Sequence, residues 1–387
     1  MLNQLSVLTN IGLGILLIPL IYRNFGPEGL STYLELMALK AVIDIFTSSL
    51  GGGVIRAIID GGGEDAFKSS TRLFSIYSIA AIIVSSVYFK ALSQQTTELE
   101  IYFYIHVFAS LVTQPLLQRA VAYGQQHIPP TIRITQNTLY FSLVLIYAQT
   151  SPHKEINKLF LLMSVTSVLC LILSLTWSRK VPSPKTKSNK HFTIKKLSSS
   201  LSSYAFFAVF LSMCSQIETL ALSHFTTPEV FAILISAWKV PNIITQLIWR
   251  YCEVNGAALK SNKTLLPPSV PEVKLLAISV LISFSYYFSG EYIYKLWMGS
   301  DFNVDNSLMA IFAIGIVPIS MNRLYTAYLQ FTGHATQLGV QYLAICASKI
   351  TYILLFSSQG IYGSFVIWFA LEFAFYLKNR QLITRPT

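Results

Sequence analysis

The chain has 387 residues, 53% of them hydrophobic and only 12% charged, where a soluble protein carries about 25% charged residues. Mean hydropathy is +0.54 and the formal net charge is +11. This composition excludes an ordinary soluble enzyme, and it predicts a polytopic membrane protein built entirely from helices.

Reading along the chain, MLNQLSVLTNIGLGILLIPLIYRNFG has no basic leader and no small-residue cleavage site. It is expected to be a first span kept in the mature protein. Twelve segments of roughly span length are predicted, at about 5–22, 30–55, 73–91, 101–121, 131–149, 158–177, 201–223, 230–252, 273–290, 305–325, 336–356 and 361–378. The second holds Glu35, Lys40 and Asp44, although a charge at mid-bilayer costs roughly 2.5–3.5 kcal/mol. Lys40 and Asp44 are four residues apart, so they share a helix face and can pair. Glu35 points elsewhere and is expected to snorkel outward. Span 4 carries His106, Ser110, Gln114 and Gln118 at steps of four, and span 5 begins with Arg133 and Asn137.

After span 6 comes RKVPSPKTKSNKHFTIKK, with seven Lys or Arg among Pro and Ser. It predicts a solvated linker at 179–197 between an N-terminal lobe, 1–178, and a C-terminal lobe, 198–387. Orientation follows from the same charges. With the N-terminus cytoplasmic, 19 Lys or Arg fall on the cytoplasmic side and 5 on the other, so both termini are expected in the cytoplasm. The positive charge then serves topology, and nucleic acid is not an expected partner. The segments YRNFGPEGLSTYLELMALKAVI and SHFTTPEVFAILISAWKVPNII echo each other across the linker. Each has Phe and Pro-Glu between two spans and a Lys in the second. Duplicated halves are a common transporter plan.

Span 7 holds Gln216 and Glu218. In span 8, Lys239, Gln246, Arg250 and Glu253 fall on one stripe, and Pro241 is expected to kink the helix. Asn322 and Arg323 lie in span 10, Lys349 in span 11 and Glu372 in span 12. Intramembrane charges rarely face lipid, so a wet central cavity is predicted. Lys40, Lys239, Arg250, Lys349 and Gln246 are its candidate substrate-binding residues, suited to an anion such as phosphate. Asp44, Glu218 and Glu372 are candidate ion-coupling groups for H+ or Na+. Tyr286, Tyr287, Tyr292 and Tyr294 are candidates for stacking on sugar rings or for an interfacial belt.

Cys170, Cys214, Cys252 and Cys346 each lie in an apolar segment outside any CxxC pair, so neither a disulfide framework nor a metal site is expected. There is no P-loop, HExxH or GxSxG, and the GGG triplets at 51–53 and 61–63 lack a following GK[ST]. A catalytic role and a cofactor are therefore not expected.

The chain resembles the polysaccharide flippases of the multidrug/oligosaccharidyl-lipid/polysaccharide exporter (MOP) superfamily, most of all the O-antigen (Wzx-type) group. The resemblance is carried by IPLIYRNFGPEGLSTYLELMALKAVIDIFTSSLGGGVIRAI, by QIETLALSHFTTPEVFAILISAWKVPNIITQLIWR and by the AYGQQH loop. It implies a V-shaped bundle of two six-helix lobes around a central cavity, in a bacterial inner membrane. It also implies ion-driven alternating access that moves an undecaprenyl-pyrophosphate-linked oligosaccharide between leaflets, with membrane lipid and other O-antigen assembly proteins as partners. Glu218 stands where relatives often carry an acid in span 7, and Arg56 where they carry an Arg after span 2. Asp44 departs from the pattern, lying farther from the glycines and that Arg than the usual span 2 acid. Two rivals are a drug exporter of the same superfamily, which would favour an acidic cavity, and a membrane polysaccharide polymerase or ligase. The latter needs a large non-cytoplasmic loop, whereas the longest such connection here is about 14 residues.

Overall fold

The computed structural model describes residues 2–59, 63–92, 96–180, 202–261, 269–331, 334–356 and 362–384. These form eleven helices and no strand: α1 Leu2–Ala57, α2 Gly63–Leu92, α3 Thr97–Ala122, α4 Ile128–Thr150, α5 Ile156–Lys180, α6 Ser202–Phe225, α7 Pro228–Ser261, α8 Ser269–Met298, α9 Asn306–Phe331, α10 Ala335–Phe356 and α11 Gly363–Thr384. The basic linker lies largely outside the described residues, as do the side chains of Arg56 and Glu253. Among the described residues, six helices are long and apolar enough to cross a membrane: α2, α5, α7, α8, α9 and α10.

The first two predicted spans are both in α1. Gly26, at φ 70° and ψ −176°, separates two helical stretches. That conformation is essentially open only to glycine, and Pro27 disfavours helix at the residue before it. Pro27 then starts the second stretch, where a missing N–H costs nothing. Asn24 donates from Nδ2 to Leu20 O at 2.7 Å, closing the last turn of the first stretch. α3 ends on a Schellman motif. Gly124 takes φ 82° and donates to Val121 O at 3.0 Å, and Gln125 donates to Ala120 O at 2.8 Å. α7 passes through Pro241 as one helix rather than breaking there.

The chain divides into two compact units, Met1–Ala205 and Phe206–Thr387. In the first, α3 is central and packs on α1, α2, α4 and α5. In the second, α9 is central and packs on α7, α8, α10 and α11. The plans correspond around these central helices. α2 and α8 are both 30 residues, α3 and α9 both 26, and α4 and α10 are 23 and 22. The weak sequence echo around the two Pro-Glu pairs thus accompanies a shared packing plan.

Small and hydroxylated residues let the central helices approach their neighbours, as is usual for membrane helices. Down the α3–α5 seam, Ser164 donates to Tyr102 O at 2.5 Å, His106 meets Ser167 at 2.6 Å, and Arg119 donates to Ser178 O at 2.6 Å. Gly315 of α9 lies directly under Phe369 of α11, where a Cβ would come within 2.4 Å of the ring. Apolar stripes point outward instead. Ile76, Ile79, Ile83 and Val87 on α2 are exposed, as are Leu281, Phe284, Phe288 and Leu296 on α8, the surface lipid would cover.

Candidate functional site

The buried polar groups of the second unit gather where α6, α9, α10 and α11 meet. Lys349 of α10 is 1% exposed and forms an ion pair with Glu218 of α6, itself 4% exposed. Its ammonium also donates to Cys214 O at 3.0 Å and sits 3.8 Å over the Trp368 ring. Ser364 donates to the other oxygen of Glu218 at 2.9 Å. Trp368 turns its indole N–H to Glu372 Oε1 at 3.0 Å, and Asn322 donates to Glu372 Oε2 at 2.5 Å. Asn379 donates to both Asn322 and Gln341 at 3.1 Å and accepts from Gln341 at 2.8 Å. Glu372 is completely buried, and no cation pairs with it among the described residues. Three candidates, Lys349, Glu218 and Glu372, are therefore brought into one network with Trp368 as the bridge. Asn379, Gln341, Ser364 and Trp368 were not singled out from the sequence. The signal was present, since Ser364, Trp368 and Glu372 recur at steps of four on one face of α11.

The remaining candidates of this unit lie along α7. Lys239 is partly buried beside Trp238 and makes no hydrogen bond or ion pair with a described residue. Trp238 packs within 5.1 Å of both Phe312 and Trp368. Gln246 and Arg250 are exposed, and Gln246 donates to Asn242 at 3.4 Å. Arg323 lies over Trp249 at 5.2 Å and donates to Tyr342 at 3.0 Å. The tyrosines divide. Tyr286 and Tyr294 are buried, with hydroxyls 2.8 Å apart and Tyr294 donating to Ala237 O at 2.5 Å, whereas Tyr287 and Tyr292 are exposed.

In the first unit Lys40 and Asp44 do form an ion pair, 17% and 41% exposed, so it opens at its acidic end. Beside it, Tyr77 donates to Ile43 O at 2.8 Å. Glu35 does not snorkel. It is buried and accepts from Tyr88 at 2.6 Å, because a tyrosine on the packed neighbour α2 satisfies it in place. On α5, Ser167 gives its hydrogen to Met163 O at 2.8 Å and receives Gln136 at 3.0 Å, so His106 of α3 donates to it from Nδ1. Arg119 reaches Glu64 of α2 through Nε at 3.1 Å and Nη2 at 2.5 Å, and packs on Phe67 and Tyr123. Among the described residues no group of three or more His, Cys, Asp or Glu could hold a metal ion, and all four cysteines are free and buried.

No protein-family model matches the chain, and no curated protein matches it. Solved structures do. An inward-facing multidrug resistance MATE family transporter of the MOP superfamily aligns with TM-score 0.67 and 13% identity, over 98% of this chain and 94% of that one. The lipid II flippase MurJ, in an inward closed conformation, aligns with TM-score 0.70 and 13% identity, over 98% and 86%. A MOP superfamily transporter from Pyrococcus furiosus, described as having a binding pocket of reversed polarity, aligns with TM-score 0.62 and 12% identity, over 99% and 94%. At these identities the likeness is one of fold. The chain has the all-helical fold of MOP superfamily transporters and is a multi-pass membrane protein of that architecture.

Proposed function

We propose that the protein is a non-enzymatic flippase that carries an undecaprenyl-pyrophosphate-linked oligosaccharide, an O-antigen repeat unit or a related one, across a bacterial inner membrane by ion-coupled alternating access. The observation that carries this reading is Lys239, a cation in the body of α7 with no ionic partner among the described residues. A lone ammonium in that setting is costly and is offset when an anionic group arrives. Pyrophosphate is such a group, and a lysine takes it as a point charge. Lys40 is the corresponding candidate in the first unit, held ready by Asp44. Arg250 and Gln246 extend the polar stripe along α7. Lys349 is assigned a different part, because Glu218 already takes up its charge. Glu372 and Asp44 are the carboxylates proposed to answer the H+ or Na+ gradient. The fold shared with the lipid II flippase MurJ supports a lipid-linked cargo. Its sharing with MATE transporters keeps drug export as the second reading, and the cationic character of α7 favours the first.

The test is Lys239→Ala in cells that depend on the protein for surface polysaccharide. Display should fall while the variant stays in the membrane at the wild-type level. Wild-type display at equal expression would overturn the assignment. Restored drug resistance in an efflux-deficient strain, with display unaffected, would favour the second reading.

A further inference from the structure

The surroundings of Lys349 have a composition of their own. A carboxylate from Glu218, a backbone carbonyl from Cys214 at 3.0 Å and the indole face of Trp368 at 3.8 Å enclose one ammonium that is 1% exposed. Carboxylate and carbonyl oxygens are ligands for small hard cations, and an aromatic face adds attraction for ammonium groups. Cys214 and Glu218 are four residues apart on α6, so carbonyl and carboxylate lie one above the other. Ser364 and Trp368 are four apart on α11, and each is fixed by a second contact, Ser364 to Glu218 and Trp368 to Glu372. The cage thus has three walls from α6 and α11, and α10 supplies only the cation.

We infer that this is a binding site for a small monovalent cation, permanently filled by the protein's own lysine. The tethered ammonium occupies the place a free Na+ or alkylammonium ion would take. Glu218 therefore does not exchange an external ion, and any ion coupling runs through other carboxylates. Removing the Lys349 side chain opens the site to free cations. This inference deepens the coupling part of the proposed function, but the site stands or falls by binding, whatever the cargo.

The experiment is thermal unfolding of the purified full-length protein at constant ionic strength. Na+ or methylammonium chloride is exchanged for N-methylglucamine chloride, an ion too bulky for the cage. Lys349→Ala should lower Tm by roughly 5 °C, as expected when a buried ion pair loses one partner in a chain of this size. Na+ or methylammonium should recover part of that loss saturably, by ligand linkage. The double variant Lys349→Ala, Glu218→Gln should respond no more than wild type, whose own response through other carboxylates sets the baseline. If Lys349→Ala does not accumulate, Lys349→Ser carries the same test, because its short side chain also leaves the cage open and the Glu218 carboxylate uncompensated. A flat response of the single variants, rescue that persists without the Glu218 carboxylate, or an equal response of wild type would each overturn the site. Loss of polysaccharide display in Lys239→Ala alongside a flat response here would leave the flippase reading standing and remove only the cage.

Discussion

Asn322 donates its amide to Glu372 at 2.5 Å, and both side chains are buried, the carboxylate completely. With Trp368 donating to the other oxygen, neutral donors surround an acidic group in the interior of the second unit. Glu372→Gln preserves the shape and one acceptor, and should cost about 1–2 kcal/mol. If the protein is the proposed ion-coupled flippase, the same substitution should abolish the dependence of polysaccharide display on the ion gradient. Glu372→Ala leaves the Asn322 and Trp368 donors unpartnered and a cavity behind, and should cost about 3–5 kcal/mol. Thermal unfolding of both variants, beside a display assay, separates the two effects. A Glu372→Gln protein with normal gradient dependence would remove the residue from the coupling scheme.

Gly26 allows α1 to break within a single residue. Its φ of 70° with ψ of −176° penalises any side chain, although a Cβ there would meet nothing within 4 Å. Gly26→Ala should therefore cost about 1–3 kcal/mol through backbone strain alone. Because no contact is involved, Gly26→Ser should cost about as much. A marked difference between the two in thermal unfolding would point to a contact instead.

Arg119 ties three helices together, reaching Glu64 on α2 and Ser178 on α5 from its own place on α3. Its side chain is 12% exposed and that of Glu64 is 35%, so solvent screens the pair in part. Arg119→Ala should cost about 1–3 kcal/mol. Arg119→Lys should recover less than half of this, since an ammonium cannot make the Nε and Nη contacts together or stack on Phe67 and Tyr123. Denaturation midpoints of the two variants decide it.

At Gly315 the constraint is the close approach of two helices. A methyl group would lie 2.4 Å from the Phe369 ring, and that ring is wedged against Trp238, Phe365 and Trp368. Gly315→Ala should cost about 1–3 kcal/mol by overpacking. Combining it with Phe369→Leu, which clears the space, should recover part of the loss. Additive losses in the double variant would show that the ring is not the obstacle.

Helix positions were legible because span length and hydropathy are local properties, and the boundary expected between the first two spans contains the break at Gly26. The Lys40–Asp44 pair was legible for the same reason, since four residues on one helix fix the geometry. Partners from distant segments were not. Lys349 and Glu218 are 131 positions apart, and nothing in either span indicates that α10 lies against α6. Glu35 was misjudged because its partner, Tyr88, is on another helix. The polar groups of α11 were legible only in part. Glu372 stands out by its charge, while Ser364 and Trp368, two turns and one turn before it on the same face, look like ordinary span residues.

Two helices of equal length, α3 and α9, hold the same central place in their own units, and this predicts how the protein tolerates change. Variation should be punished most along these two segments and least on the outward stripes of α2 and α8. A saturation scan scored by abundance would then show two bands of intolerance with the same internal spacing, a family likeness between halves whose letters have almost ceased to agree.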